Sequence, residues 1–165
     1  MTLQVRPAMP DEYDEIGALC VRAYLPSGQR TNQPLYAKLR DCADRADQAV
    51  LLVALDAGRV VGSVTYCPVD SPYREIGEPG EGEFRMLAVD PDEQGRGVGK
   101  VLIRACVDRA REEGCHAVVV SSAPWMRAAH YRLEEAGFVR TPERDWVSPA
   151  GFELLTFRLE LDPVQ

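Results

Sequence analysis

Three glycines at alternate positions, Gly95, Gly97 and Gly99, separate the strand-like run "EFRMLAV" from an amphipathic helix that stops at Gly114. Glycine beside a helix start costs backbone entropy unless a positive φ or a close approach requires it, so few folds accept this run. A strand, a bare turn and a helix N-terminus aim unpaired N–H groups and partial positive charge at one spot. That is an anion site suited to a phosphate or pyrophosphate. Three phosphate-binding patterns compete for it. Walker A needs glycine at Gln94 and Ser or Thr at Val101, and fails. The dinucleotide fingerprint G-x-G-x-x-G needs glycine at Lys100 or Leu102, and fails as well. The pattern Q/R-x-x-G-x-G/A is met in full by Gln94-Gly95-Arg96-Gly97-Val98-Gly99.

The elements around this run follow from periodicity. "TLQVR" alternates as a strand, and Ile16, Leu19, Cys20 and Ala23 recur at helical spacing. "LPSGQRTNQP" reads as a loop, and a second helix is expected over Leu35 to Asp47. "AVLLVAL" and "RVVGSVTY" form a hairpin through Asp56-Ala57-Gly58, and Pro68 to Gly82 is a long loop. After the glycine helix come the buried strand "HAVVVSS", a helix from Trp125 to Ala136 closed by Gly137, the strand start "FVRT", the loop "PERDWVSPAG" and the strand "FELLTFRLEL". The order βααββ then βαβαββ predicts an α/β (α+β) mixed sheet with helices on both faces. The 165 residues suit one core, so a single domain over 1–165 is expected.

A formal charge of −7 argues against nucleic acid and weakly favours cationic ligands such as amines, solubility being the commoner reason for it. The five cysteines have no C-x-x-C pair and read as small buried hydrophobes in a reducing compartment. Arg6 and the acids from Asp11 leave no apolar leader, and the run Ala49 to Leu55 is too short for a bilayer. A cytoplasmic chain without a membrane partner is expected. No His/Cys/carboxylate spacing suits a metal.

The hexapeptide, "LAVDP" before it and "AGF" some forty residues after it resemble the GCN5-related N-acetyltransferase (GNAT) family, and the element order is similar across nearly the whole chain. The resemblance implies a mostly antiparallel mixed sheet with one splayed parallel pair, and acetyl-CoA as acyl donor with no metal. It implies that backbone groups of the stretch Leu87, Ala88 and Val89 meet pantetheine, those of Leu87 and Val89 by hydrogen bonds. Amides of Gln94, Gly95, Arg96, Gly97, Val98, Gly99 and Lys100 would hold the pyrophosphate, and Ser121 would sit near the opening. Arg96 and Lys100 are either phosphate contacts or solvated cations. The acceptor, a primary amine of a small molecule or peptide, would meet Tyr24, Asn32, Tyr36 and Trp146 from two loops, unless these are loop aromatics or core edges. A homodimer would be in keeping with the family.

An alkyl amine of pKa about 10.4 is only about one part in 2,500 neutral at pH 7, so a base is useful. Glu83 is the candidate, on a strand where alternation puts Glu83, Arg85, Leu87 and Val89 on one face; pairing with Arg85 or a neighbouring strand is the structural alternative. The N–H of Leu87 is the expected oxyanion donor. One departure stands out. The family's acid tyrosine, four residues before the Gly-Phe pair, is Leu133 here, and the asparagine seven before that is Met126. Tyr131 is misplaced for the role, and His130 reads as structural. The expected function is acetyl transfer from acetyl-CoA to an amine, the alternative a CoA-binding regulatory domain with weak or lost turnover.

Overall fold

The computed structural model describes residues 2–24 and 33–162. Strands β1 (Leu3–Pro7), β2 (Val50–Asp56), β3 (Arg59–Cys67), β4 (Glu81–Val89), β5 (Ala117–Ser122), β6 (Val139–Arg140), β7 (Trp146–Val147) and β8 (Glu153–Glu160) alternate with helices α1 (Tyr13–Tyr24), α2 (Gln33–Arg40), α3 (Cys42–Gln48), α4 (Val98–Glu112) and α5 (Arg127–Glu135). The strands form an eight-stranded sheet in the order β1-β2-β3-β4-β5-β8-β6, with β7 on β8. Every pairing is antiparallel except β4 with β5. The β2–β3 hairpin turns at Ala57 and Gly58, both with positive φ, as a tight hairpin matched to strand twist requires.

Hydrophobic residues on the two sheet faces build two cores. Leu102, Ile103, Cys106 and Ala110 of α4 pack with Val61, Phe84, Val118 and Phe157 on one face. Ile16, Leu19 and Cys20 of α1, with Tyr36, Leu39 and Cys42, cover Leu51, Val53, Met86 and Ala88 on the other. All five cysteines are free and buried in these layers. Arg45 of α3 is fully buried, donating to Thr65 Oγ1 at 3.0 Å and to the Leu39 carbonyl at 2.7 Å. It ties α2 and α3 to β3.

Gly62 of β3 lies where α4 crosses the sheet. An added Cβ would stand 2.6 Å from Val98 Cγ1 and 3.0 Å from the Ala88 carbonyl oxygen. Gly62→Ala is therefore expected to lower stability by about 1–3 kcal/mol, read as a fall in denaturant midpoint at unchanged slope.

Four sequence expectations need correction. The helix expected over Leu35 to Asp47 is two helices, broken at Asp41, whose carboxylate accepts from the Asp44 amide and caps α3. The helix expected from Trp125 begins at Arg127, with Met126 at its N-cap. The loop "PERDWVSPAG" contains β7, which pairs with β8 through Trp146↔Leu154 and Val147↔Glu153.

The fourth correction matters most. The β3–β4 register shifts between Ser63 and Thr65, and opposite that shift Met86 takes the left-handed conformation at φ 58°. This bulge puts two successive residues on one face and breaks the alternation. Arg85 reaches Tyr73 and Glu75 on the α1 side, while Leu87 and Val89 pack on the α4 side. Glu83 and Arg85 thus do not share a face with Leu87 and Val89.

Candidate active site

The parallel pair β4–β5 is hydrogen-bonded only over Glu81↔Ala117, Gly82↔Val118 and Glu83↔Val119. Beyond Glu83 and Val119 the strands part, leaving backbone groups of both without a strand partner across the gap. A cavity of about 420 Å³ opens there. Leu87 of β4 and Ser121 of β5 line it, with Tyr24 and Leu35 from the first helices, Met126 and Leu133 from the α5 region, and Pro149 and Phe152 before β8. Glu75, Arg85 and Lys38 supply the charged groups of its wall.

A second cavity of about 340 Å³ lies over the glycine run, lined by Gly95, Gly97, Val98, Gly99, Lys100, Tyr131 and Arg132 among others. Gly97 is the N-cap of α4 at φ 83°, and Gly95 sits at φ 80°, both in the region that side chains resist. No side chain caps α4, and its first internal bond runs from Val101 N–H to the Gly97 carbonyl. The amides of Val98, Gly99 and Lys100 are therefore free to receive an anion. Gly99 lies against Arg132, whose Cδ would stand 2.5 Å from a Cβ there and would have to move to admit one. Val98 is buried in the core and offers only its backbone. Gln94 donates to the Val89 carbonyl at 3.4 Å, and its side-chain oxygen accepts from Arg132. Arg96 is turned to carboxylates, pairing with Glu93 and with Asp56 at 3.2 Å. Hydrogen bonds from Arg59 and Arg96 hold Glu93 below the usual carboxylate range, against the effect of burial. Lys100 and Arg132 are the cations facing the loop cavity.

Glu83 is fully buried, and its carboxylate accepts from the amides of Glu75 (3.1 Å), Ile76 (3.3 Å) and Gly77 (2.9 Å). Among the chamber-lining residues is Glu75, not Glu83. Burial raises the Glu75 carboxyl above its ordinary value, against the pull of Arg85, whose Nε lies 2.8 Å away. Tyr24 lines the chamber, and burial pushes its phenol well up, so it stays an O–H at neutral pH.

Tyr36 and Trp146 are not brought to the chamber. Tyr36 is buried in the α1-side core, and the Trp146 indole N–H is buried on β7. In place of Trp146, the last loop presents Ser148, Pro149, Ala150 and Phe152, with Trp125 edge-on to Phe152 at 6.4 Å. Asn32 lies outside the described residues. Leu133 is buried against the chamber, so no tyrosine stands at that place, and Tyr131 is 64% exposed. His130 is tilted against Phe157 at 5.0 Å, its imidazole pKa lowered chiefly by burial. Among the described residues no three His, Cys, Asp or Glu side chains group as a metal site, and no helix is long and apolar enough to cross a membrane.

Residues 13–138 match the acetyltransferase (GNAT) family. The chain belongs to that family. Acetyl-CoA is the cofactor of such a domain, and the free amides, cations and parted strands described above fit it. The chain is 29% identical over 133 residues to the mycothiol acetyltransferase of Cellulomonas flavigena, covering 79% of this chain and 38% of that protein. It spans less than half the length of the mycothiol acetyltransferases it matches. The fold is similar to a GNAT acetyltransferase from Staphylococcus aureus Mu50, with a TM-score of 0.74 and 13% identity over 98% of this chain and 100% of that one. It is also similar to yncA from Salmonella typhimurium, solved with its cofactor acetyl-CoA, with a TM-score of 0.66 and 20% identity over 98% and 95% of the two chains.

Proposed function

We propose that the chain transfers an acetyl group from acetyl-CoA to the primary amine of a small molecule. The observation that carries this reading is the opening between β4 and β5, beginning where their pairing ends at Glu83 and Val119. Bound there, acetyl-CoA supplies an acetyl group activated as a thioester. The amides of Val98, Gly99 and Lys100, with Lys100 and Arg132 beside them, hold its diphosphate. Backbone groups of β4 beyond Glu83 and of Val120 to Ser122 hold the pantetheine arm. The N–H of Leu87 is the donor to charge developing on the carbonyl oxygen. The chamber is largely apolar, and Glu75, Arg85 and Lys38 give the acceptor its only charged contacts among the described lining residues. A relative named as a mycothiol acetyltransferase supports a small-molecule acceptor over a peptide.

With Leu133 in the tyrosine place, the departing thiolate takes its proton from water or from the substrate. A thiol of pKa about 8.5 leaves readily enough for that. The test is thiol release from acetyl-CoA across a panel of amines, alongside calorimetry with CoA. Saturable CoA binding with amine-dependent release is expected. Binding without release from any amine would leave a CoA-binding domain that has lost turnover, and no binding would end the reading altogether.

A further inference from the structure

We infer that Glu75 takes the acceptor amine's proton, and that Glu83 acts through it by anchoring the loop segment that carries it. This rests on the acetyl-transfer reading above. Two carboxylates lie close together at this end of β4, and only one is turned to the chamber. Glu75 lines the cavity with Lys38, Arg85 and Met86. Glu83 is fully buried, and its two oxygens are occupied by the amides of Glu75, Ile76 and Gly77. With its lone pairs engaged by three backbone N–H groups and its side chain outside the chamber lining, Glu83 has no open oxygen to meet an acceptor. Those same bonds fix the backbone of residues 75–77. An added Cβ at Gly77 would come within 2.2 Å of Arg74 and 3.1 Å of Glu83 Oε1, so the anchored turn is closely packed.

Glu75 meets the requirements that Glu83 does not. Among the described residues its carboxylate has one fixed partner, Arg85 Nε at 2.8 Å, and Arg85 is itself steadied by the Tyr73 carbonyl at 3.1 Å. Burial lifts its basicity while Arg85 restrains it. The charged and titratable groups around it are Arg85 and Glu83 from β4, Lys38 from α2, Tyr73 from its own loop, and Tyr24 from α1 across the chamber.

The step balances as follows. The ammonium R–NH3⁺ gives one proton to the Glu75 carboxylate. The freed nitrogen lone pair forms the C–N bond, the C–S bond breaks, and its electron pair leaves on sulfur. A second proton from nitrogen ends on sulfur, and the first returns from Glu75 to solvent. The products are the amide, the thiol and one released proton.

Kinetics of Glu75→Gln, Glu75→Asp and Glu83→Gln against pH, with hydrogen exchange of ligand-free protein, test this. In the parent, kcat/KM rises with pH as the Glu75 carboxyl ionises and then levels off below the pKa of the amine, because the carboxylate frees the nitrogen of a bound ammonium. Glu75→Gln is expected to lower kcat/KM about 100-fold at neutral pH. It should replace that early rise and plateau with a later rise that follows the free amine, with CoA affinity unchanged. Glu75→Asp should keep the early rise and plateau at a reduced rate. Glu83→Gln should speed exchange at the amides of 75–77 and displace the rising limb, whereas a merely structural Glu83 would leave the limb in place. A Glu75→Gln enzyme that keeps the parent's pH profile and rate overturns the inference and leaves acetyl transfer standing. A parent inactive with every amine overturns both.

Discussion

Gly97→Asp is expected to abolish measurable CoA binding, a loss of at least about 100-fold in affinity, while the protein stays folded. Gly97 caps α4 at φ 83°, and a Cβ there meets nothing within 4 Å, so the substitution causes no clash. A side chain in the left-handed region costs about 1–2 kcal/mol. A carboxylate at a helix start, however, interacts favourably with the dipole and can accept the free amides, which offsets much of that strain. The amides that would receive the diphosphate are thereby taken, and a negative charge stands where an anion must sit. Calorimetry should show no saturable heat with CoA, and the thermal midpoint should change little. Near-normal binding would mean that the anion site lies elsewhere.

The second large effect concerns the closed end of the gap. Glu81 begins β4 and is 3% exposed. Arg144 donates to both of its oxygens at 2.9 Å, Arg158 Nε to one at 3.0 Å, and the Glu78 amide to the other at 3.0 Å. Burial alone would raise this carboxyl, but the hydrogen bonds from Arg144, Glu78 and Arg158 prevail and bring it to about 2, against 4.5 unperturbed. A depressed folded-state value means stability that is present above pH 4.5 and lost as pH falls toward 2. Because both arginines are partly open to water, the contribution is about 2–3 kcal/mol. Glu81→Gln should lose that much at pH 7 by urea unfolding, and the gap from the parent should narrow sharply at pH 3. An equal gap at both pH values would show that shape, not charge, is what Glu81 provides.

The glycine run was legible because chain geometry leaves it few uses. Three glycines between strand and helix have few purposes besides admitting an anion, and the structure has two of them at positive φ and the third against Arg132. The order of elements along the chain, apart from β7 and the break between α2 and α3, and the absence of a tyrosine at Leu133 could likewise be read directly. The bulge could not. Met86 adopts φ 58°, a conformation for which methionine gives no signal, and that one residue reverses the sheet face occupied by the side chains of β4 beyond it. The position of Glu75 was hidden for a related reason. It lies in a stretch whose prolines, glycines and acids mark a loop, and what singles it out is a hydrogen-bonded anchor from another element. The break at Asp41 carried a signal that periodicity overrode, an aspartate placed to receive the amide three residues on. Tyr36 and Trp146 were drawn to the site by aromatic character, though packing decides where such rings go.

The short β4–β5 ladder makes this sheet two wings, β1 to β4 and β5 to β8, stitched by three residue pairs and by the Glu81 cluster at the same end. A molecule seated further along the seam meets peptide groups of both wings at once, as a missing strand would. Grip on that molecule and stiffness of the whole sheet are then one property, and any change that lets the wings drift apart weakens both together.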